Sequence, residues 1–301
     1  MAAAVARRES QIVLGLDPDP LRLWPEAAGA QPPAGAAASP AAHAAAAVLV
    51  HCRAVIDAVG DAVVAVKPQV ACFERLGAPG WDALQEITAH AHAAGLLVLA
   101  DGKRGDIDVT ATAYAQGFLG ATPGPGGDVP GLGADLLTVA PYMGLDTLRS
   151  FAVVARDHGA GIVVLVRTSN PGAADLEDAQ LAGGGTVWER VAGLVAELGD
   201  EHVGPQSGLT DVGAVLGATQ PEHLARAREL LPRTIFLLPG VGAQGGRVED
   251  LAPAFAPGRA AGLVTASRSI VSAHAAAGTA PAPAARAEAE RLRAAAWALG
   301  G

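Results

Sequence analysis

Residues Val98–Thr110 read VLADGKRGDIDVT, where a continuous apolar run gives way to an acid, a lysine and a second acid at Asp101, Lys103 and Asp106. The run, LLVLAD in full, shows no alternation of apolar and polar positions. A strand of a parallel sheet reads this way when both of its faces are covered. Seven more runs of the same kind occur along the chain: QIVLGLD, AVVAVK, DLLTVAP, GIVVLVR, VGAVLGA, TIFLLPG and AGLVTAS. Helix-like segments lie between them. The clearest opens at Ser39 and Pro40, which suit the cap and first-turn positions, and ends at Gly60, which suits the position just past a helix. Near the C-terminus, ARAEAERLRAAAWALGG sets Leu292, Ala295 or Ala296, and Leu299 on one stripe.

Eight strand–helix units with no compositional break predict an α/β fold, a (β/α)8 TIM barrel forming a single domain over 1–301, rather than an open doubly wound sheet. A minimal barrel takes roughly 250 residues, so the surplus is expected in Ala/Gly/Pro-rich insertions near 26–40, 120–134 and 171–186. The first two read as surface loops. The third directly follows a strand end and carries Gly183–Gly185, a run that could hinge a lid.

Composition narrows the function. Half of the 301 residues are apolar and the formal net charge is -9, so no broad basic face is offered to nucleic acid or to an anionic membrane. An anionic ligand must be drawn by a local positive site. Cys52 and Cys72 form no C-x-x-C pattern and read as reduced thiols. The opening MAAAVARRES has no apolar stretch behind its arginines, and no later segment reads as long enough to span a bilayer. A soluble, cytoplasmic protein is expected.

Barrel enzymes draw their reactive groups from the C-terminal ends of strands. Here those ends carry Asp17, Lys67, Asp101, Arg167 to Ser169, Gly240, Ser267 and Arg268. Asp101 and Lys103 are two apart, so in extended backbone they face one side while Arg104 faces the other. Asp106 is expected to begin the following helix, where an acid suits the N-terminus. Lys67 and Lys103 are the only lysines among 21 basic residues, and both sit at strand ends facing one mouth. Arginine stays protonated, whereas lysine is a compact cation that can give up a proton. A proton donor is the simplest role that lysine fills and arginine does not.

The second signal is LLPGVGAQGG, Leu237–Gly246, followed one strand later by TASRSI. Glycine-rich loops after the last two strands leave N–H groups free to surround a phosphate, and Arg268 can add a charge-assisted bond. No histidine closes a strand, and His90 and His92, two apart on a helical stretch, do not share a face, so no zinc centre is expected. No G-x-S-x-G elbow and no G-x-x-x-x-G-K-[ST] loop occurs.

Together DGKRGDI, AVKPQ, LGLDPDP, SNPG, PGVGAQGG and SRSI resemble orotidine 5'-phosphate decarboxylase, and Arg104 with the long chain is similar to the subgroup described as the second type. The resemblance implies conversion of orotidine 5'-phosphate to UMP and carbon dioxide, the last step of de novo pyrimidine synthesis, without metal or cofactor. It implies that Lys67, Asp101, Lys103 and Asp106 form a charge network at the reacting carbon, with Lys103 protonating C6. It further implies that Asp17 binds ribose hydroxyls, that Ser169 or a neighbour within Thr168 to Asn170 meets the base, and that Gln244, Gly245 and Arg268 grip the phosphate. Asp106 and Thr110 would reach the site of a second subunit, making a homodimer with shared sites. The rival readings are a sister decarboxylase or aldolase acting on a sugar phosphate, a Schiff-base aldolase, and a catalytically silent phosphate-binding barrel. Lys67 argues against the first, whose members carry an acid-bearing pattern where AVKPQ stands.

Overall fold

The computed structural model describes residues 1–34, 38–242 and 245–300. All eight apolar runs form strands: β1 Ile12–Leu16, β2 Ala65–Pro68, β3 Leu97–Arg104, β4 Leu136–Val139, β5 Gly161–Arg167, β6 Val212–Leu216, β7 Phe236–Leu238 and β8 Gly262–Ala266. They pair in parallel and in sequence order, and β8 closes on β1 through Ile12 opposite Val264. The fold is the expected (β/α)8 barrel.

Alternation within each strand divides the core in two. Outward residues such as Ile12, Leu14, Val98, Ala100, Val164 and Phe236 pack against the surrounding helices. Inward residues such as Val13, Leu99, Val163, Val215, Leu237 and Leu263 fill the barrel, joined from one end by Ala4 and Val5 of the helix Ala2–Arg8. The inward parity of β3 continues from Leu97 and Leu99 to Asp101, so the strand that fills the barrel with leucine delivers its acid to the open end.

The helix Pro40–Val59 begins as its sequence requires, with the Ser39 hydroxyl accepting from the Ala42 N–H at 3.1 Å. Carried on to Ala62, this segment is long and apolar enough to cross a membrane by length and composition, contrary to the reading of the sequence alone. Half of it is buried inside the fold, where Val48, Cys52, Val55 and Ile56 join the outer core. The C-terminal helix Pro281–Leu299 buries Leu292 and Ala296, with Ala295 and Leu299 packed at the margin of the same core. Two of the loop insertions carry structure of their own. Residues 120–134 hold an antiparallel ribbon pairing Ala121–Thr122 with Val129–Pro130, and residues 171–186 hold the short helix Ala173–Leu176 and a bridge from Gln180 to Thr186.

Arg228, on the helix Pro221–Leu230 that follows β6, is buried, and no carboxylate pairs with it among the described residues. Its guanidinium donates to the carbonyls of Leu231, Thr234, Ala254 and Ala261 at 2.6–3.1 Å and lies 3.6 Å from the centre of the Phe236 ring. Burial pushes its pKa down to about 9, still well above neutrality, so the side chain stays charged. These bonds tie together the chain segments that lead into β7 and β8. Arg228→Ala strands four carbonyls and is expected to cost at least about 3 kcal/mol, read as a fall in the urea midpoint at unchanged slope.

Candidate active site

Where β2 and β3 end, three charges meet. Lys67 Nζ donates to Asp101 Oδ2 at 2.6 Å, and Lys103 Nζ donates to Asp101 Oδ1. Gln69 Nε2 donates to Oδ2 at 3.0 Å and Thr138 Oγ1 to Oδ1 at 2.9 Å. An ionised carboxylate offers about four acceptor positions, and Asp101 has all of them filled by protein donors. Its lone pairs are committed before any ligand arrives. Burial alone would raise the Asp101 carboxyl, but the two lysines, through charge and hydrogen bonds, hold it at about 2.

The backbone is bent to make this arrangement. Lys103 adopts a left-handed conformation with φ +47°, rare for a residue with a side chain, and β3 shifts register against β4 between Ala100 and Arg104. The Lys103 N–H is held by Thr138 Oγ1 at 2.9 Å. Arg104 turns away, ion-paired with Glu74 and lying over the rings of Tyr114 and Phe118. Asp101 and Lys103 meet on one side with Arg104 on the other, but through this left-handed turn and not through the extended backbone that their spacing assumes.

These groups line a cavity of about 460 Å³ that reaches across the barrel mouth to Asp17, Ser169, Gly240 and Arg268. At its far side Ser267 Oγ donates to Asp17 Oδ2 at 2.6 Å. That contact depends on Gly15, because a Cβ there would lie 2.7 Å from the Ser267 Cβ. The loop after β7 turns through positive φ at Gly240, Gly242 and Gly245, and the nearby Arg268 is exposed with no side-chain bond among the described residues. The cavity thus pairs a charge cluster with an uncommitted cation. A separate cavity of about 340 Å³ opens beside Asp135, His202 and Asp211 and contains neither lysine.

Not every expected residue is at this cavity. Asp106 does not line it, and its carboxylate accepts from the Ile107 N–H at 2.8 Å. The helix starts at Asp108 rather than at Asp106, because β3 runs on to Arg104 and displaces the turn. Thr110 is exposed in the first turn of that helix, and Gly245 is exposed in its loop away from the cavity wall. Gln244 lies outside the described residues. Gln69 and Thr138 were missed by the sequence reading. Each repeats the signal that singled out the motif: Gln69 stands two after Lys67 as Lys103 stands two after Asp101, and Thr138 is the polar residue inside DLLTVAP. Among the described residues, no three His, Cys, Asp or Glu side chains cluster as a metal site would need.

A closed parallel barrel that gathers a lysine–acid–lysine cluster and a cavity at the C-terminal ends of its strands has the arrangement of a barrel enzyme. A family model described as Orotidine 5'-phosphate decarboxylase / HUMPS family matches residues 10–282, and the chain belongs to that family. Relatives named orotidine 5'-phosphate decarboxylase include a protein of Rhodopirellula baltica, 45% identical over 74% of this chain and 72% of its own length. Another, from Haloarcula marismortui, is 39% identical over 91% of this chain and 86% of its own. The structure of Leishmania donovani OMP decarboxylase superposes with a TM-score of 0.70 at 30% identity, covering 98% of both chains. Leishmania donovani UMP synthase is also similar, at 31% identity and a TM-score of 0.71, with 98% of this chain matching 56% of that longer one.

The Asp101 environment sets an acid-side signature. A carboxyl held at about 2 when folded and near 3.9 when unfolded adds stability that is present above about pH 4 and lost as pH falls toward about 2. The difference in unfolding free energy between wild type and Asp101→Asn should therefore shrink across that window. Denaturant melts at stepped pH measure it, and a constant difference would contradict the assignment.

Proposed function

We propose that the chain decarboxylates orotidine 5'-phosphate to UMP and carbon dioxide, the closing step of pyrimidine nucleotide synthesis, without metal or cofactor. The observation that carries this reading is the Lys67–Asp101–Lys103 cluster, which places two cations and a fully bonded acid at one end of a cavity whose other end offers Arg268. The names of the relatives favour this substrate over the sugar phosphate of a sister enzyme.

The chemistry is governed by charge. Loss of carbon dioxide leaves the electron pair on C6 of the pyrimidine, a carbon that delocalises it poorly. A fixed ammonium there stabilises charge where it develops. Lys103 is the group to supply it, and it then transfers a proton to C6. Asp101 holds both lysines and repels the substrate carboxylate until that carboxylate departs. Asp17 would bind ribose hydroxyls, Ser169 the base, and Arg268 with Gln244 and the Gly245 loop the phosphate. Binding at that remote end can stabilise the closed, water-poor state in which the reaction proceeds.

The proposal extends to a homodimer working in the cytoplasm, with Asp106 and Thr110 entering the partner's site. Neither residue reaches the cavity of its own chain. They are flanked by exposed Ile107 and Val109, while Tyr142, 86% exposed, and Met143 follow β4 close by. An apolar rim around two polar residues with no cavity of their own is what a shared site requires. The free thiols Cys52 and Cys72 suit a reducing compartment.

Loss of the substrate ultraviolet band in the presence of EDTA, with UMP as product, tests the activity and the independence from metal together. Lys103→Ala is expected to lower kcat by about 10²–10⁴-fold in a folded protein, and near-normal turnover would remove its role. Mixing inactive Lys103→Ala with inactive Asp106→Asn should restore activity through hybrid dimers. No recovery after proven subunit exchange counts against shared sites. Arg268→Ala should raise KM for orotidine 5'-phosphate by about 10- to 100-fold, as loss of a charge-assisted bond does, while leaving the response to orotidine unchanged.

A further inference from the structure

Beside the cavity, one residue, Thr168, is held through its N–H, its carbonyl and its side chain. Arg167, at the end of β5 and 6% exposed, donates through Nε and one terminal nitrogen to both oxygens of Asp178, at 3.0 and 2.8 Å. Its other terminal nitrogen donates to the Thr168 carbonyl. Glu177, next to Asp178, accepts the Thr168 N–H at 2.8 Å and lies 2.9 Å from the Thr168 hydroxyl. The N–H, carbonyl and hydroxyl of Thr168 are thus all engaged by one arginine–glutamate pair. The hydroxyl also lies 2.7 Å from the Asn170 side-chain oxygen. From the β6 side, Gly217 donates its N–H to the Arg167 carbonyl at 2.8 Å and presses on Ser169, so closely that a Cβ at Gly217 would lie 2.8 Å from the Ser169 Cα.

The residues so confined matter, because Thr168, Ser169 and Asn170 form the wall of the cavity beyond the charge cluster. β5 shifts register against β6 between Leu165 and Arg167, and pairing resumes with Arg167 opposite Leu216. Past that last pair the clamp takes over the chain. Its carboxylates come from the 171–186 segment, which is itself tied down: Val187 and Trp188 donate their N–H groups back to Ala179 and Glu177, and Thr186 and Glu189 form a capping box on the next helix.

We propose that Glu177 and Arg167 are positioning residues for recognition of the substrate's base: they immobilise Thr168 and thereby present Ser169 and Asn170 to the ring. The inference rests on the decarboxylase reading, which puts a pyrimidine against this wall. Neither residue touches the reacting atoms, so their loss acts on binding of the base more than on proton transfer. Glu177 is the better residue to change, because it is partly exposed while Arg167 is buried with its charge.

The test compares wild type, Glu177→Ala and Glu177→Gln by steady-state kinetics on orotidine 5'-phosphate. Calorimetric titration with UMP and with ribose 5-phosphate, which lacks the base, completes it, with thermal melts used to normalise to folded protein. Glu177→Ala should raise KM and the UMP dissociation constant together by about 10-fold or more, leave ribose 5-phosphate binding unchanged, and affect kcat less. Glu177→Gln, whose amide oxygen can still accept the Thr168 N–H, should return UMP affinity to within a few-fold of wild type. Unchanged UMP affinity in Glu177→Ala overturns the proposal, as does equal weakening of UMP and ribose 5-phosphate, which would mark a merely structural role. If wild-type protein binds UMP without turning over orotidine 5'-phosphate, the decarboxylase reading fails while the UMP comparison still decides the clamp.

Discussion

The carboxylate of Asp101 is the point on which the site is built. Two ammonium groups, an amide and a hydroxyl from β2, β3, β4 and the loop after β2 converge on its two oxygens. Removing any donor leaves a buried acceptor short of a partner. Removing the acid would leave the buried Lys67 ammonium unpaired and facing a second cation, with repulsion less screened than between two fully solvated charges. Barrel closure, the strained turn at Lys103 and the placement of Thr138 all serve this convergence. The lysines are thus fixed in place before substrate enters, which is what electrostatic preorganisation requires.

Much of this was legible from residue order because barrel strands obey simple rules. A strand covered on both faces reads as a continuous apolar run, and the eight runs correspond to the eight strands without exception. Period-two alternation then fixes which strand residues look inward as far as Asp101, while Lys103 reaches that acid through a left-handed turn that alternation does not foresee. The scarcity of lysine marked Lys67 and Lys103 as chemically distinct in a chain whose other cations are arginine. Composition was less reliable for the helix Pro40–Val59, where alanine and valine satisfy a membrane criterion although half the segment faces the core.

The features that stayed hidden are those that depend on distance in space. Gln69 and Thr138 are ordinary polar residues until three strands bring them to one carboxylate. Glu177 and Asp178 lie in a stretch whose composition reads as loop, and only the folded chain shows Glu177 bonded to Thr168 and Asp178 bonded to the Arg167 that holds the Thr168 carbonyl. The start of the helix after β3 was misplaced by two residues because a register shift cannot be seen in an apolar pattern. Arg228 gave no signal either, since its partners are backbone carbonyls, which every sequence has.

Lys103 occupies a region of backbone space that glycine enters freely and that costs a side-chain-bearing residue about 1–3 kcal/mol. The strain is set in the same residue that carries the ammonium group. A glycine at this position would relieve the backbone and strip Asp101 of one of its four donors in one substitution. The relief of strain and the lost bond to a buried carboxylate are of similar size, about 1–3 kcal/mol each, so a library of variants screened only for stability has little ground to prefer either residue at this codon.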